Sequence, residues 1–191
     1  MGARVDLTRH LHDIEPLQLM YTDFTKLIFD RGDQTALFMP IIDHISKWAV
    51  GWSVGAAANT RLALAAWERA KRRLLRYGIS LNKVVIHQDQ DGVYTSHEWL
   101  RILRLRDGVR VSYSLDGARG NTAMESFNGH FKEENAAILW EQRDLISVIR
   151  VVESRMLYYN DIRRHASLGN ISPLVFLKKH GLEPRQGASV N

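Results

Sequence analysis

The chain contains no cysteine. Disulfide staples, thiolate nucleophiles and cysteine–zinc sites are therefore excluded. The composition fits a reducing cell interior. Long apolar runs are missing as well: no stretch approaches the roughly 20 apolar residues needed to cross a bilayer, so no membrane partner is expected. The opening residues MGARVDLTRH lack the apolar core of a secretory signal. Met1-Gly2 starts like a myristoylation site, but that pattern asks for Ser or Thr at position 6, where Asp6 stands. Neither an internal repeat nor a low-complexity segment is present.

What remains has the make-up of a soluble globule. The 191 residues are 45 % hydrophobic and 25 % charged, enough for one domain with a substantial core. Lys plus Arg number 26 and Asp plus Glu 21, a formal charge of +5. That is a modest attraction for nucleic acid, and its distribution says more. Arg61, Arg69, Lys71, Arg72, Arg73 and Arg76 cluster against Glu68 alone. A second basic group, Arg163, Arg164, Lys178, Lys179 and Arg185, marks residues 161–191. Each cluster is either a solvated face or a phosphate-contacting one, which makes Arg72 and Arg73 candidate DNA contacts.

Along the chain, residues 1–16 read as an irregular leader ending at Pro16. Leu17–Phe29 reads as a strand, and Ala36–His44 and Lys47–Ser53 as two more in an antiparallel meander. Asn59-Thr60 starts a helix over Arg61–Arg76, with Leu62, Ala65, Ala66 and Leu74 on its apolar side and Gly78 as its stop. Lys83–His87 is a short β-branched strand. Ser96 caps a helix to about Arg106, and Val109–Tyr113 is a fifth strand. After the glycine-containing loop Ser114–Asn121, helices are expected over Thr122–Ala137 and Glu141–Tyr159. The second should bury Leu145, Ile149, Val152, Met156 and Tyr159. This order implies an α/β fold with a five-stranded mixed sheet flanked by helices. The core spans 17–160, followed by a basic C-terminal extension over 161–191.

Three carboxylates stand out. Asp23 interrupts the first apolar strand, Asp89 follows the strand KVVIH, and Glu125 lies in the first turn of a helix, with 35 residues between Asp89 and Glu125. Each has a bland alternative: a solvent-facing strand residue for Asp23, a turn-ordering side chain for Asp89, a capping box between Thr122 and Glu125. Acids brought together repel unless cations neutralise them. Mg²⁺ prefers such oxygen ligands, and two ions about 4 Å apart can clamp a phosphodiester. Glu125, Asn128 and Lys132 fall on one helix face, beside an apolar side made by Met124, Phe127 and Phe131.

The ordered blocks resemble the catalytic core of bacterial insertion-sequence transposases of the integrase superfamily, related to retroviral integrases. They are Tyr21-Thr22-Asp23-Phe24-Thr25; Ile42-Asp43 with Trp48-Ala49-Val50-Gly51-Trp52; the run from His87 to Ser96; Gly120-Asn121-Thr122-Ala123-Met124-Glu125-Ser126-Phe127; and the ending Tyr159-Asn160, Arg163, His165, Leu168-Gly169, Ser172-Pro173. The resemblance covers roughly Gln18–Pro173. It implies an RNase H-like fold. It implies a catalytic and metal-binding triad of Asp23, Asp89 and Glu125 using Mg²⁺ or Mn²⁺. The activity implied is cleavage at transposon ends and joining of the exposed 3′-hydroxyls to target DNA, without a protein–DNA covalent intermediate. Lys132 would then contact DNA near the reactive phosphate, with Asn121 and Asn128 as further candidates. His87 would either orient Asp89 or close a strand end as a satisfied histidine. Arg163 and His165 would lock the C-terminal segment, and Trp48 and Trp52 would serve the core or a subunit contact. The resemblance also implies DNA and a second copy as partners, in a bacterial cytoplasm and on the nucleoid when bound.

The chain departs from the family in one respect above all: only about 20 residues precede Asp23, where full-length enzymes carry DNA-recognition regions. A separate DNA-recognition protein is therefore a candidate partner. Gln88 and Asp91 also stand where many relatives have smaller residues. An RNase H-like nuclease and a truncated, non-catalytic DNA-binding or oligomerisation remnant remain as alternative functions.

Overall fold

The computed structural model describes residues 4–115 and 121–185. The stretch expected as one first strand is divided into β1 (Leu19–Thr22) and β2 (Thr25–Phe29). Both pair antiparallel with β3 (Gln34–Asp43), and the pairs Thr22–Ile41 and Thr25–Phe38 belong to one unbroken register. The two pieces are thus a single lane of the sheet, opened at Asp23-Phe24. β4 (Ala49–Gly55) pairs antiparallel on the other side of β3. β5 (Val85–Gln88) runs parallel to β1, and β6 (Arg110–Tyr113) parallel to β5. The six strands therefore occupy the five lanes expected, in the order β4, β3, β1 with β2, β5, β6.

Helices cover both faces, so even alternating strand positions are buried. Along β3, Met39 and Ile41 point into one core while Ala36, Phe38 and Ile42 point into the other, as the two-residue strand period requires. The first core lies under α1 (Thr60–Arg76) and α2 (His97–Leu100), which continues as a π-helical turn over Arg101–Arg106. The second lies under α3 (Thr122–Trp140) and α4 (Leu145–Asp161). α5 (Pro173–Lys179) inserts Leu177 into the first core.

The N-cap of α1 is Asn59, whose side chain accepts from the Leu62 amide, and the helix ends at Tyr77 before Gly78 at φ +74. Its buried face differs from the expected one. Ala63, Ala66, Trp67, Ala70 and Leu74 are buried, Leu62 is half-buried and Ala65 is exposed. Gly51 of β4 gives the reason: a Cβ there would lie 2.4 Å from the Ala66 carbonyl oxygen and 2.7 Å from the Ala70 nitrogen. The strand and the helix approach so closely that only small residues fit between them. In α4, Val148, Val152, Met156 and Tyr159 are buried and Ile149 is exposed. The helix begins after an Asp144–Ser147 capping box rather than at Glu141.

The stretch read as an irregular leader contains a 3₁₀ turn over Leu7–His10 and docks on β6. Tyr113 N donates to the Val5 carbonyl (3.0 Å), and Leu7 N donates to Ser112 Oγ (2.9 Å).

Candidate active site

The parallel register of β1 and β5 aligns Tyr21 with His87. Two residues further along each strand, Asp23 and Asp89 fall side by side, on lanes about 5 Å apart. The next lane repeats the pattern, with His87 beside Ser112 in β6. Tyr21, His87 and Ser112 thus form one row across three strands, and the next same-face positions after β1 and β5 hold the acids Asp23 and Asp89. The ends of parallel strands are where open α/β sheets gather function, because side chains there leave the ladder without leaving the scaffold.

Local bonds shape the loop after β5. Asp89 Oδ1 accepts from the Asp91 amide (2.9 Å), and Asp91 Oδ1 from the Val93 amide (2.9 Å). The turn-ordering role considered for Asp89 is therefore real, and it leaves the residue beside Asp23. Gln88 is fully buried; its amide nitrogen donates to the Tyr94 carbonyl (3.2 Å) and its oxygen accepts from Trp99 Nε1 (3.0 Å). That pins the loop, and Tyr94 in turn stacks on Phe24, 5.6 Å between ring centroids, at the break next to Asp23.

Glu125 arrives from α3. The expected capping box is not formed: Asn121 holds the N-cap position without a side-chain cap bond, and Glu125 is exposed. Asn121 instead donates Nδ2–H to the Thr22 carbonyl (3.2 Å), tying the start of α3 to the residue before Asp23. The charges converge on Asp23. Burial, the largest cause, and then the charge of Asp89 push its carboxyl up to about 6, against the Phe24 amide; Asp91 and Glu125 add smaller pushes. Among the described residues, no three or more His, Asp or Glu groups already form a closed set of metal ligands.

The other sequence candidates are placed as follows. Lys132 is exposed on α3 with Glu125, but Asn128 is buried. A step of three residues falls about 60° short of a full helical repeat, which turns it toward the sheet. The side-chain oxygens of Asn121 and Asn128 are buried without a hydrogen-bond partner among the described residues. Arg72 is exposed on α1. Arg73 donates to the Ala49 and Val50 carbonyls (3.2 and 3.3 Å) and lies 4.3 Å over the Trp52 ring. Burial, then Arg69, lowers its guanidinium to about 10. α1 packs on β4, two lanes from β1 and three from β5, so neither arginine is brought to the acids. His87 contacts Ser112 Oγ (2.9 Å) and faces Asp6 (3.8 Å), the arrangement of a satisfied histidine. Trp48 and Trp52 are core residues, each 3 % exposed.

The C-terminal block is a lock. Arg163 grips both carboxylate oxygens of Glu134 and lies 5.7 Å over Tyr159. His165 packs edge-on to the same ring at 4.9 Å; burial first, then Arg163, lowers it to about 4, so it is neutral. Asn160 was not singled out by sequence as a structural residue. Its amide both accepts from and donates to the Ala49 backbone (2.9 and 3.1 Å), fastening α4 to β4. Its pairing with Tyr159 in the C-terminal block was the available signal.

Residues 13–117, more than half of the chain, match the integrase core domain family, and residues 108–173 match a second integrase core domain family. A probable transposase for insertion sequence element IS1353 of Shigella flexneri is 27 % identical over 92 % of this chain and 33 % of its own length. Transposase InsF for IS3A of Escherichia coli K12 is 29 % identical over 86 % of this chain and 55 % of its own. A 31 kDa protein of insertion element IS600 from Shigella sonnei is 37 % identical over 51 % of this chain and 36 % of its own. The chain thus spans between about a third and about half of the curated relatives it matches. Among solved structures, the BIV integrase catalytic core superposes with a TM-score of 0.56 at 14 % identity, covering 86 % of this chain and 97 % of that one. The HTLV-2 integrase catalytic core in complex with magnesium gives 0.54 at 12 %, covering 85 % and 97 %. A simian T-cell lymphotropic virus intasome chain gives 0.63 at 12 %, covering 92 % and 58 %. With the mixed sheet between two helical layers, these likenesses place the chain in the integrase core domain family, with the RNase H-like fold of the integrase catalytic cores it superposes on.

Proposed function

We propose that this core carries out metal-dependent phosphoryl transfer on DNA, cutting at the 3′ ends of a mobile element and joining them to target DNA, with Asp23, Asp89 and Glu125 as its acids. The observation that carries the reading is the convergence of acidic charge on Asp23, from a neighbouring strand end and from the first turn of α3. A fold seldom gathers repelling acids without a task for them. Their chemistry suits a hard divalent cation with oxygen ligands, and the HTLV-2 neighbour was solved with magnesium. Asp23 and Asp89 would hold Mg²⁺ or Mn²⁺ from the sheet and Glu125 from α3. When bound, such ions supply charge neutralisation at the phosphate and activation of the attacking oxygen.

The chain's own residues do the rest. Gln88, Trp99 and Tyr94 fix the loop that carries Asp89, and Asn121 fixes α3 relative to Asp23. Water is the nucleophile in cutting and a DNA 3′-hydroxyl in joining. Exposed Lys132, two turns beyond Glu125, would meet the phosphodiester backbone, with Asn121 and Asn128 as neighbours to the DNA. Two ends must be processed together, so the working complex contains at least two copies, with end recognition supplied by other segments or a separate DNA-binding protein. The setting is nucleoid DNA in a bacterial cytoplasm. The test uses labelled intact, pre-nicked and branched DNA with Mg²⁺ or Mn²⁺. Joined products from the native chain, absent with Asp23→Asn, are expected. Cutting without joining would favour a nuclease, and inactivity of the folded chain on every substrate would overturn the proposal.

A further inference from the structure

The segment before β1 lies along the outer edge of β6 and brings a buried carboxylate with it. Asp6 is 8 % exposed. It caps the 3₁₀ turn by accepting from Thr8 N (3.0 Å), and it pairs with Arg9 Nε (3.2 Å). Its Oδ1 lies 3.8 Å from Nδ1 of the buried His87. The same ring nitrogen contacts Ser112 Oγ, and that oxygen accepts from Leu7 N, next to Asp6 in the chain. This strap thus meets β5 at His87, two positions before Asp89 and on the same strand face.

A second contact falls on the other side of Asp89. The Val5 carbonyl accepts from Tyr113 N, and Arg4 reaches over the end of the strand to donate to Gln90 Oε1 (2.9 Å). Gln90 in turn donates to the Ser114 carbonyl (3.2 Å), while Ser114 N donates to the Gln88 carbonyl (2.8 Å). Asp89 is therefore bracketed: His87 before it and Gln90 after it both contact the strap. The bracket matters because β5 has only four residues and ends at Gln88, so Asp89 has left the sheet ladder. Gln88 braces the loop from inside, through Trp99 and Tyr94. The strap braces it from the β6 edge.

Granting Asp89 as a metal ligand, which rests on the reading above, we propose that Asp6 and Arg4 are positioning residues for Asp89. Asp6 seats the strap against His87 and Ser112, and Arg4 holds Gln90. Neither touches metal or DNA. Their effect passes through the placement of one carboxylate, and losing a group that orients a metal ligand weakens metal binding by about 10–100-fold. The residues ahead of β1 are on this account part of the catalytic apparatus.

The test measures Mn²⁺ binding by electron paramagnetic resonance, without DNA, and amide hydrogen exchange of the metal-free chain. Asp6→Ala should weaken Mn²⁺ binding about tenfold. It should also speed exchange at the Asp91 and Val93 amides, which the Asp89 and Asp91 carboxylates hold. Arg4→Ala, at an exposed position, should melt within about 2 °C of the native chain yet speed exchange at Asp91 and weaken Mn²⁺ binding by a smaller factor. Asp6→Asn, whose amide oxygen can still accept from Thr8 N, should return Mn²⁺ affinity to within about threefold of native. Asn160→Ala, which cuts the tie between α4 and β4, should melt lower and bind Mn²⁺ as the native chain does. Native affinity and native exchange in both Asp6→Ala and Arg4→Ala, or an equal loss of affinity in Asn160→Ala, would overturn the inference. Mn²⁺ bound by the native chain, lost in Asp89→Asn and kept by the strap variants would refute the positioning role alone. Faster exchange in the strap variants of a chain that binds no Mn²⁺ through Asp89 would refute the metal-site reading and leave the strap's hold on the loop standing.

Discussion

Replacing Asp23 by Asn should make the metal-free protein more stable at neutral pH while removing its activity. Asp23 titrates at about 6 in the folded chain against an ordinary 3.8. At about 1.4 kcal/mol per tenfold change in proton affinity, ionising it costs the folded chain about 3 kcal/mol, or about 2 once its partial exposure is discounted. The sign follows from which state binds the proton more tightly. The folded state does, so the favourable contribution is complete below 3.8 and is lost as the pH rises through about 6. Above that, the charged carboxylate is a standing destabilisation, which Asn removes at nearly constant shape. With a chelator present, Asp23→Asn should melt about 4–8 °C above the native chain at pH 7.5, and at nearly the same temperature at pH 4. Calorimetry or circular dichroism at the two pH values is sufficient. Equal melting at pH 7.5, or an equal gain at both pH values, would refute the claim that burial and neighbouring acids act on Asp23.

Millimolar Mg²⁺ should raise the melting temperature of the native chain at pH 7.5 and leave Asp89→Asn unchanged, measured in the same instrument. Glu125→Gln should alter urea-denaturation stability by less than about 0.5 kcal/mol, because the exposed carboxylate caps nothing, yet it should abolish DNA nicking and joining. Gln88→Leu leaves the buried Trp99 indole N–H without its partner and the Tyr94 carbonyl with the longer bond from the Tyr113 hydroxyl (3.4 Å); denaturant titration should show a loss of about 1–3 kcal/mol, with reduced nicking as the Asp89 loop loosens. Gly51→Ala should cost about 2–3 kcal/mol by the same titration, since its Cβ would meet the Ala66 carbonyl oxygen at 2.4 Å.

Asp23 and Asp89 were conspicuous in the sequence because each breaks or ends an apolar strand. Their adjacency was not legible from strand patterns, since it depends on a parallel pairing between β1 and β5 that spans the whole meander and α1. Local rules misled where tertiary contacts overrode them. Thr122-Ala123-Met124-Glu125 satisfies the capping-box spacing, but Asn121 reaches across to Thr22 and Glu125 turns to solvent. On α1, hydrophobicity alone favours Leu62 for the core. The close approach of Gly51 selects Ala63, Ala66 and Ala70 instead. Arg73 looked like part of a DNA-facing cluster because a string of basic residues does not reveal that one of them folds inward over Trp52. The cavity lined by Tyr21, Lys47, Ser126 and Arg164 was invisible for a similar reason: its lining comes from β1, the end of β3 and the turn after it, α3, α4 and the segment after α4.

The central claim is that Asp23, Asp89 and Glu125 share one cation-binding site on DNA. Crystals of the chain with a branched oligonucleotide, soaked in Mn²⁺ and measured for anomalous scattering, test it directly. The account predicts a manganese peak about 2 Å from carboxylate oxygens of Asp23 and Asp89, and a second about 4 Å away on the Glu125 side. Ordered DNA with manganese bound elsewhere, or none at these three acids, would contradict it.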